Sequence, residues 1–154
     1  MLGKPNKTRP TAVSVDDFLA EVRPESRRAD ALALYEMMAR LSGEPARMWG
    51  PSIVGFGVRE YPYESGRAGE ILKVGFSPRK PATVLYVAAQ AESNPAVAAL
   101  GKVKTGKGCI YIRSLADINL ERLERLIADT LARQGGAEPQ GCDDLTPDKQ
   151  APVR

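Results

Sequence analysis

The chain of 154 residues contains no histidine. That removes the commonest general base at neutral pH and the commonest transition-metal ligand. Ser-His and Cys-His nucleophile pairs are excluded with it, as are zinc sites that include His. An enzyme written in this sequence would work through carboxylates, Lys, Tyr, Cys or a bound cofactor. Cysteine is scarce too. Cys109 falls in an expected strand and Cys142 in an expected tail, so the two read as free thiols. Aromatic residues make up 6% of the chain and are mostly phased with its apolar positions. With so few rings to stack on bases, no specific nucleic-acid binding is expected. No apolar run nears the roughly 18 to 20 residues of a membrane helix. Met1 to Pro10 has basic residues but no apolar signal-peptide segment after them. A cytoplasmic protein with no membrane partner is expected.

What remains is ordinary for a globular domain: 43% apolar and 27% charged residues. At this length a core forms without disulfides or metal. The expected organisation is a flexible N-terminal arm over 1–13, one domain over 14–134, and a disordered tail over 135–154 rich in Pro, Gly, Gln and charge. The net charge of +3 is unevenly spread. From Ile71 to Arg113, seven cations face only Glu92 and leave that segment at +6, so the rest carries −3. Such asymmetry fits an anion-facing surface, or lysines solvated in loops.

Periodicity predicts the elements in order. Ser14 caps a short helix with Asp16 and Asp17 in its first turn. Pro24 opens a second helix whose Ala31, Leu34, Met38 and Leu41 recur at helical spacing until Gly43 stops it. Its Met-rich face reads as core filling. Glu44 to Trp49 reads as a short helical turn, and Trp49 as the anchor of that connection. Strands follow at about Ile53–Tyr61, Ile71–Phe76 and Ala82–Ala89. The third of these is apolar on both sides, as a central strand is. Asn94 and Pro95 start a short helix that ends at Gly101, and Cys109 to Arg113 is the last strand. Asn119 caps the closing helix, with Leu120, Leu123, Leu126, Ile127 and Leu131 in one stripe. The fold class is therefore α+β. A mainly antiparallel sheet of about four strands is expected, with two N-terminal helices, a short helix before the last strand and a C-terminal helix.

Two strands share a Gly-Phe step. Val54, Phe56 and Val58 fall on one face of the first, as do Leu72, Val74 and Phe76 of the second. Gly55, Gly57 and Gly75 fall on the other. A strand glycine weakens the strand, so three on one face need a reason. One reading is geometric, a bend in the sheet or a helix packed close on it. The other is a bare-backbone pocket for a small anion, with Gly75 in its floor. Its rim would carry Arg59, Lys73 and Arg113 by alternation, and Arg79 and Lys80 from the following loop. Tyr111 would add a hydroxyl, and Lys102 and Lys107 would extend the basic surface. The stretch Gly101-Lys102-Val103-Lys104-Thr105-Gly106-Lys107-Gly108 has the glycine and lysine spacing of a phosphate loop. However, Gly108 stands where Ser or Thr should hold magnesium, and the order is helix-loop-strand, the reverse of the motif. No cofactor and no catalytic or metal-ligating residue is assigned.

Four stretches carry a family resemblance. They are Trp49-Gly50-Pro51-Ser52-Ile53-Val54-Gly55-Phe56-Gly57, Val74-Gly75-Phe76-Ser77-Pro78-Arg79-Lys80, Gly101-Lys102 with Gly106-Lys107-Gly108-Cys109, and the closing helix after Asp117-Ile118-Asn119. Across roughly Val15 to Arg133 the chain resembles the YdhG-like domain-of-unknown-function family of small bacterial proteins. The resemblance implies an antiparallel sheet with helices packed on it, and no established chemistry. One branch carries a frataxin-like iron-chaperone role, whereas this sequence has no dense acidic ridge. The functional expectation is a binding or interaction module with a basic, anion-accepting surface, its partner a small anionic ligand or a protein. An enzyme acting on a small anion and an iron chaperone are the alternatives.

Overall fold

The computed structural model describes residues 14–62, 68–88, 91–106 and 108–133. The expected arm and tail, and Lys107, lie outside these residues. The chain runs through α1 (Val15–Ala20), α2 (Glu25–Ser42), β1 (Ala46–Trp49), β2 (Ile53–Pro62), β3 (Ala68–Pro78) and β4 (Thr83–Tyr86). It continues through α3 (Pro95–Ala98), β5 (Lys104–Thr105), β6 (Ile110–Ile112) and α4 (Leu120–Ala132). The strands form one antiparallel sheet in the order β1-β2-β3-β4-β6-β5. It has six strands where about four were expected.

The helix boundaries follow the local chemistry. Ser14 Oγ accepts from Asp17 N–H, Asn94 Oδ1 from Ala96 N–H, and Asn119 Oδ1 from Arg122 N–H. Each pairs an N–H group that the first helical turn leaves open. Gly43, in the left-handed region, closes α2 by donating its N–H to the Ala39 carbonyl.

The two additional strands come from tertiary pairing. Residues 46–49, expected as a helical turn, are instead the edge strand β1, with Ala46 opposite Phe56 and Trp49 opposite Ile53. The turn at Gly50, Pro51 and Ser52 folds them back onto β2. A ladder pairs their backbone groups, which a single helical turn would leave largely open. β5 lies in the expected Lys/Gly loop, where Lys104 pairs with Tyr111 and Thr105 with Ile110.

One sheet face meets the helices. Met48, Val54, Phe56, Val74, Phe76, Leu85, Ile110 and Ile112 pack there with Leu34 and Met38 of α2 and Leu123 and Ile127 of α4. Tyr35 of α2 meets Phe56 edge-on at 5.9 Å between ring centroids. Thr130 Oγ1 donates to the Val87 carbonyl at 2.6 Å and so ties α4 to the chain just past β4. Arg40 and Glu124 pair across α2 and α4, a surface contact worth about 0–1 kcal/mol.

The opposite face has its own apolar cluster: Trp49, Ile53, Ile71, Leu72, Val84, Tyr86 and Cys109, with Tyr111 partly buried against it. β4 is thus buried on both faces, as its composition indicated. Leu72 is a correction. Alternation put it with Val74 and Phe76, but it packs on the face of Gly55 and Gly75. The phase breaks at Gly57, whose φ of +76° leaves the extended region and which drops out of the β2–β3 register; Val58, expected with Val54 and Phe56, is exposed beside Gly57 for the same reason. Gly55 and Gly75 leave the room that Leu72 then fills. A Cβ on Gly75 would lie 2.4 Å from Leu72 Cδ1, and a Cβ on Gly55 would lie 2.5 Å from the Trp49 ring and 3.0 Å from Leu72 Cβ. Trp49 and Leu72 occupy the volume that side chains at 55 and 75 would need.

A methyl added at either glycine must therefore displace a buried neighbour. Gly55→Ala and Gly75→Ala are each expected to cost about 1–3 kcal/mol, the range for overpacking a filled core. Urea unfolding followed by the fluorescence of Trp49, the single tryptophan, measures this directly. Unchanged midpoints in both variants would contradict the packing described.

Candidate functional site

At one end of the sheet a cleft forms from three chain segments, each held in place by its own contacts. The first is the stretch entering β5. Leu100 to Lys102 run antiparallel to Asp117 to Asn119, with Gly101 bridged to Ile118. Asn119 N–H donates to the Leu100 carbonyl at 2.7 Å, and Lys102 N–H to the Asp117 carbonyl at 3.2 Å. Gly101 has φ +132°, and a Cβ there would stand 2.6 Å from the Asp117 carbonyl oxygen. Conformation and space both demand glycine. This crossing sets Lys102 beside Asp117.

The second segment is the turn between β3 and β4. Arg27, in the first turn of α2, donates to the carbonyls of both Arg79 and Lys80. The third is the exit of β6. There Asp30 of α2 accepts from Leu115 N–H at 3.0 Å, and Ser114 Oγ accepts from Ala116 N–H at 3.1 Å. The start of α2 thus clamps both segments.

The resulting cleft has a volume of about 870 Å³ and is lined by Arg27, Pro81, Ala82, Lys102, Val103, Lys104, Tyr111, Arg113, Ser114 and Asp117. Among the described residues, four cations share it with one carboxylate. Cations of one sign in a concavity reinforce one another's field and attract anions. The Tyr111 hydroxyl accepts a hydrogen bond from the buried Cys109 thiol at 3.1 Å, which fixes the phenol end of the ring.

The residues singled out from sequence divide among several places. Lys102, Tyr111 and Arg113 meet in the cleft. Arg79 has a different setting: its Nε donates to Ser77 Oγ at 3.0 Å and its Nη2 to the Tyr86 hydroxyl at 3.3 Å. Ser77 Oγ, fully buried, donates in turn to the Ser52 carbonyl at 2.7 Å. Lys80 is exposed, with its carbonyl held by Arg27. The Lys73 stem lies over Gly57, and its ammonium is 3.8 Å from the Glu44 carboxylate. Gly75 is covered by Leu72. Arg59 is half-buried on β2, in register with Ile71. Lys107 is outside the described residues.

Beside the glycines lies a smaller cavity of about 230 Å³, lined by Glu44, Pro45, Arg47, Trp49, Gly55, Gly57 and Val58. Its Glu44 carboxylate also faces the Lys73 ammonium. Arg27, Ser114 and Asp117 were missed in the sequence. Nothing local marks Arg27, because α2 brings it to the β3–β4 turn from more than fifty residues away, whereas Ser114 and Asp117 follow Arg113 closely in sequence. Among the described residues, no group of three or more Cys, Asp or Glu side chains could hold a metal ion. No helix among them is long and apolar enough to cross a membrane.

The Arg79 contacts generate a clear contrast with its neighbour. Arg79→Ala removes a guanidinium from buried Ser77 and Tyr86 and is expected to cost about 1–3 kcal/mol. Lys80→Ala, at an exposed position, should stay within about 0.5 kcal/mol of the parent. Equal denaturation midpoints for the two variants would contradict a structural role for Arg79.

Compared with known proteins, the chain matches no family model, no curated protein and no solved structure.

Proposed function

We propose that the protein is a YdhG-like binding module whose task is to hold a small anionic ligand in the cleft at the end of the sheet. The observation that carries this reading is the convergence of Arg27, Lys102, Lys104 and Arg113 on one concavity with Asp117 as the single carboxylate among the described residues that line it. The cations come from separate parts of the chain: the start of α2, the stretch entering β5, β5 itself and the exit of β6. Solvated lysines scattered through loops would not share one wall. Arg27 uses Nη1 for the two turn carbonyls, which leaves Nη2 and Nε as donors for a ligand. Lys102 and Lys104 are exposed and supply mobile point charges.

Pyrophosphate, a compact anion of high charge, is the direct probe. It should raise the melting temperature of the protein in proportion to binding of the folded state. The Lys102→Ala/Lys104→Ala variant should bind it at least tenfold more weakly, about 1.4 kcal/mol, with little change in its unliganded melting temperature. Raising salt should weaken binding to the parent as exposed charges are screened. An undiminished pyrophosphate response in the double variant would remove the cleft as the site.

A further inference from the structure

Resting on the anion-binding reading, we infer that the cleft takes a small organic phosphate carrying a ring and hydroxyl groups, of the size and chemistry of a nucleoside diphosphate. Three features separate such a ligand from a bare inorganic anion. The first is size. A cleft of about 870 Å³ lies within the range of sites that enclose an organic ligand or cofactor, and a single phosphate would fill a small part of it.

The second is the character of the lining that is not cationic. Val103, Pro81, Ala82 and the Tyr111 ring give the cleft an apolar surface. An inorganic anion gains nothing from it, whereas a ring buries against it and offers a face to the tyrosine. Tyr111 is half-buried and held through its hydroxyl by Cys109, so little conformational freedom remains to be lost when a ring packs on it.

The third is Asp117. A carboxylate repels a phosphate, so a site for inorganic phosphate alone would be better without one. An ionised carboxylate accepts hydrogen bonds and donates none. In a basic cleft it therefore suits a ligand that is anionic at one end and carries hydroxyl or amine donors at the other. Ser114 lies on the same wall and its hydroxyl both donates and accepts. The cations hold the phosphates, and Asp117 with the Tyr111 ring selects what the phosphates are attached to. Tyr111 is the one ring among the described lining residues, which matches a single nucleoside.

Calorimetric titration of the full chain with ADP, pyrophosphate and adenosine tests this. ADP is expected to bind at least tenfold more tightly than pyrophosphate, and adenosine more weakly than ADP. Tyr111→Leu should bring ADP affinity down to that of pyrophosphate while leaving pyrophosphate affinity unchanged, which also shows that the variant is folded. Asp117→Asn should reduce the preference for ADP over pyrophosphate without loss of pyrophosphate binding. If pyrophosphate binds as tightly as ADP in the parent, the organic ligand is overturned while anion binding stands. If neither binds, both readings fall. Tighter binding of an oligoadenylate than of ADP would overturn the single-nucleotide ligand in favour of a nucleic-acid strand.

Discussion

Trp49 and Leu72 pack where Gly55 and Gly75 leave the backbone bare, and the second face of the sheet depends on that contact. Trp49 is 1% exposed and Tyr86 fully buried on this face. Burying an indole removes roughly 150–250 Å² from water, of the order of 4–6 kcal/mol of transfer free energy at about 25 cal/mol per Å². The indole reaches that position because β1 folds back on β2 and carries it opposite Ile53. Side chains at 55 and 75 would hold the ring and the leucine off the sheet. The glycines weaken β2 and β3 locally, and the close packing they permit offsets that loss.

This packing also determines where a ligand has room. The glycine-bearing region is filled by Trp49, Leu72 and the stem of Lys73, leaving a small cavity. The large cleft lies elsewhere, at the end of the sheet where the β3–β4 turn, the entry to β5 and the exit of β6 come together. α2 serves both regions. Its buried face covers the sheet through Leu34 and Met38, while Arg27 and Asp30 near its start fix two walls of the cleft. Gly101 fixes the third by letting Lys102 cross close to Asp117. The cleft is thus built from the same contacts that close the end of the fold.

The elements legible in the sequence were those whose cause is local. Asn119, Asn94 and Ser14 mark helix starts because a side-chain oxygen beside a free N–H is enough. The stripe of α4 and the pairing of the two Gly-Phe strands follow from period alone. β1 was not legible, since Ala46 to Trp49 has no alternation of its own and becomes a strand only by pairing with β2. Leu72 was misplaced because alternation assumes an uninterrupted strand, whereas the φ of +76° at Gly57 breaks the phase between β2 and β3. Of the cleft, Lys102, Tyr111 and Arg113 were visible as charge and phase near one another in sequence. Arg27 joins them only through long-range packing, Asp117 meets Lys102 only where Gly101 crosses Ile118, and the contacts of Arg79 with Ser77 and Tyr86 depend on how the β3–β4 turn folds.

The central proposal is that the glycine face serves packing while the cleft at the end of the sheet serves binding. Nuclear magnetic resonance of the ¹⁵N-labelled chain titrated with pyrophosphate separates the two regions residue by residue. The account predicts amide shifts gathered at Lys102, Val103, Lys104, Arg113 and Ser114, with Arg47, Trp49, Gly55 and Gly57 unmoved. Shifts gathered at the second group, with the first unmoved, would contradict it.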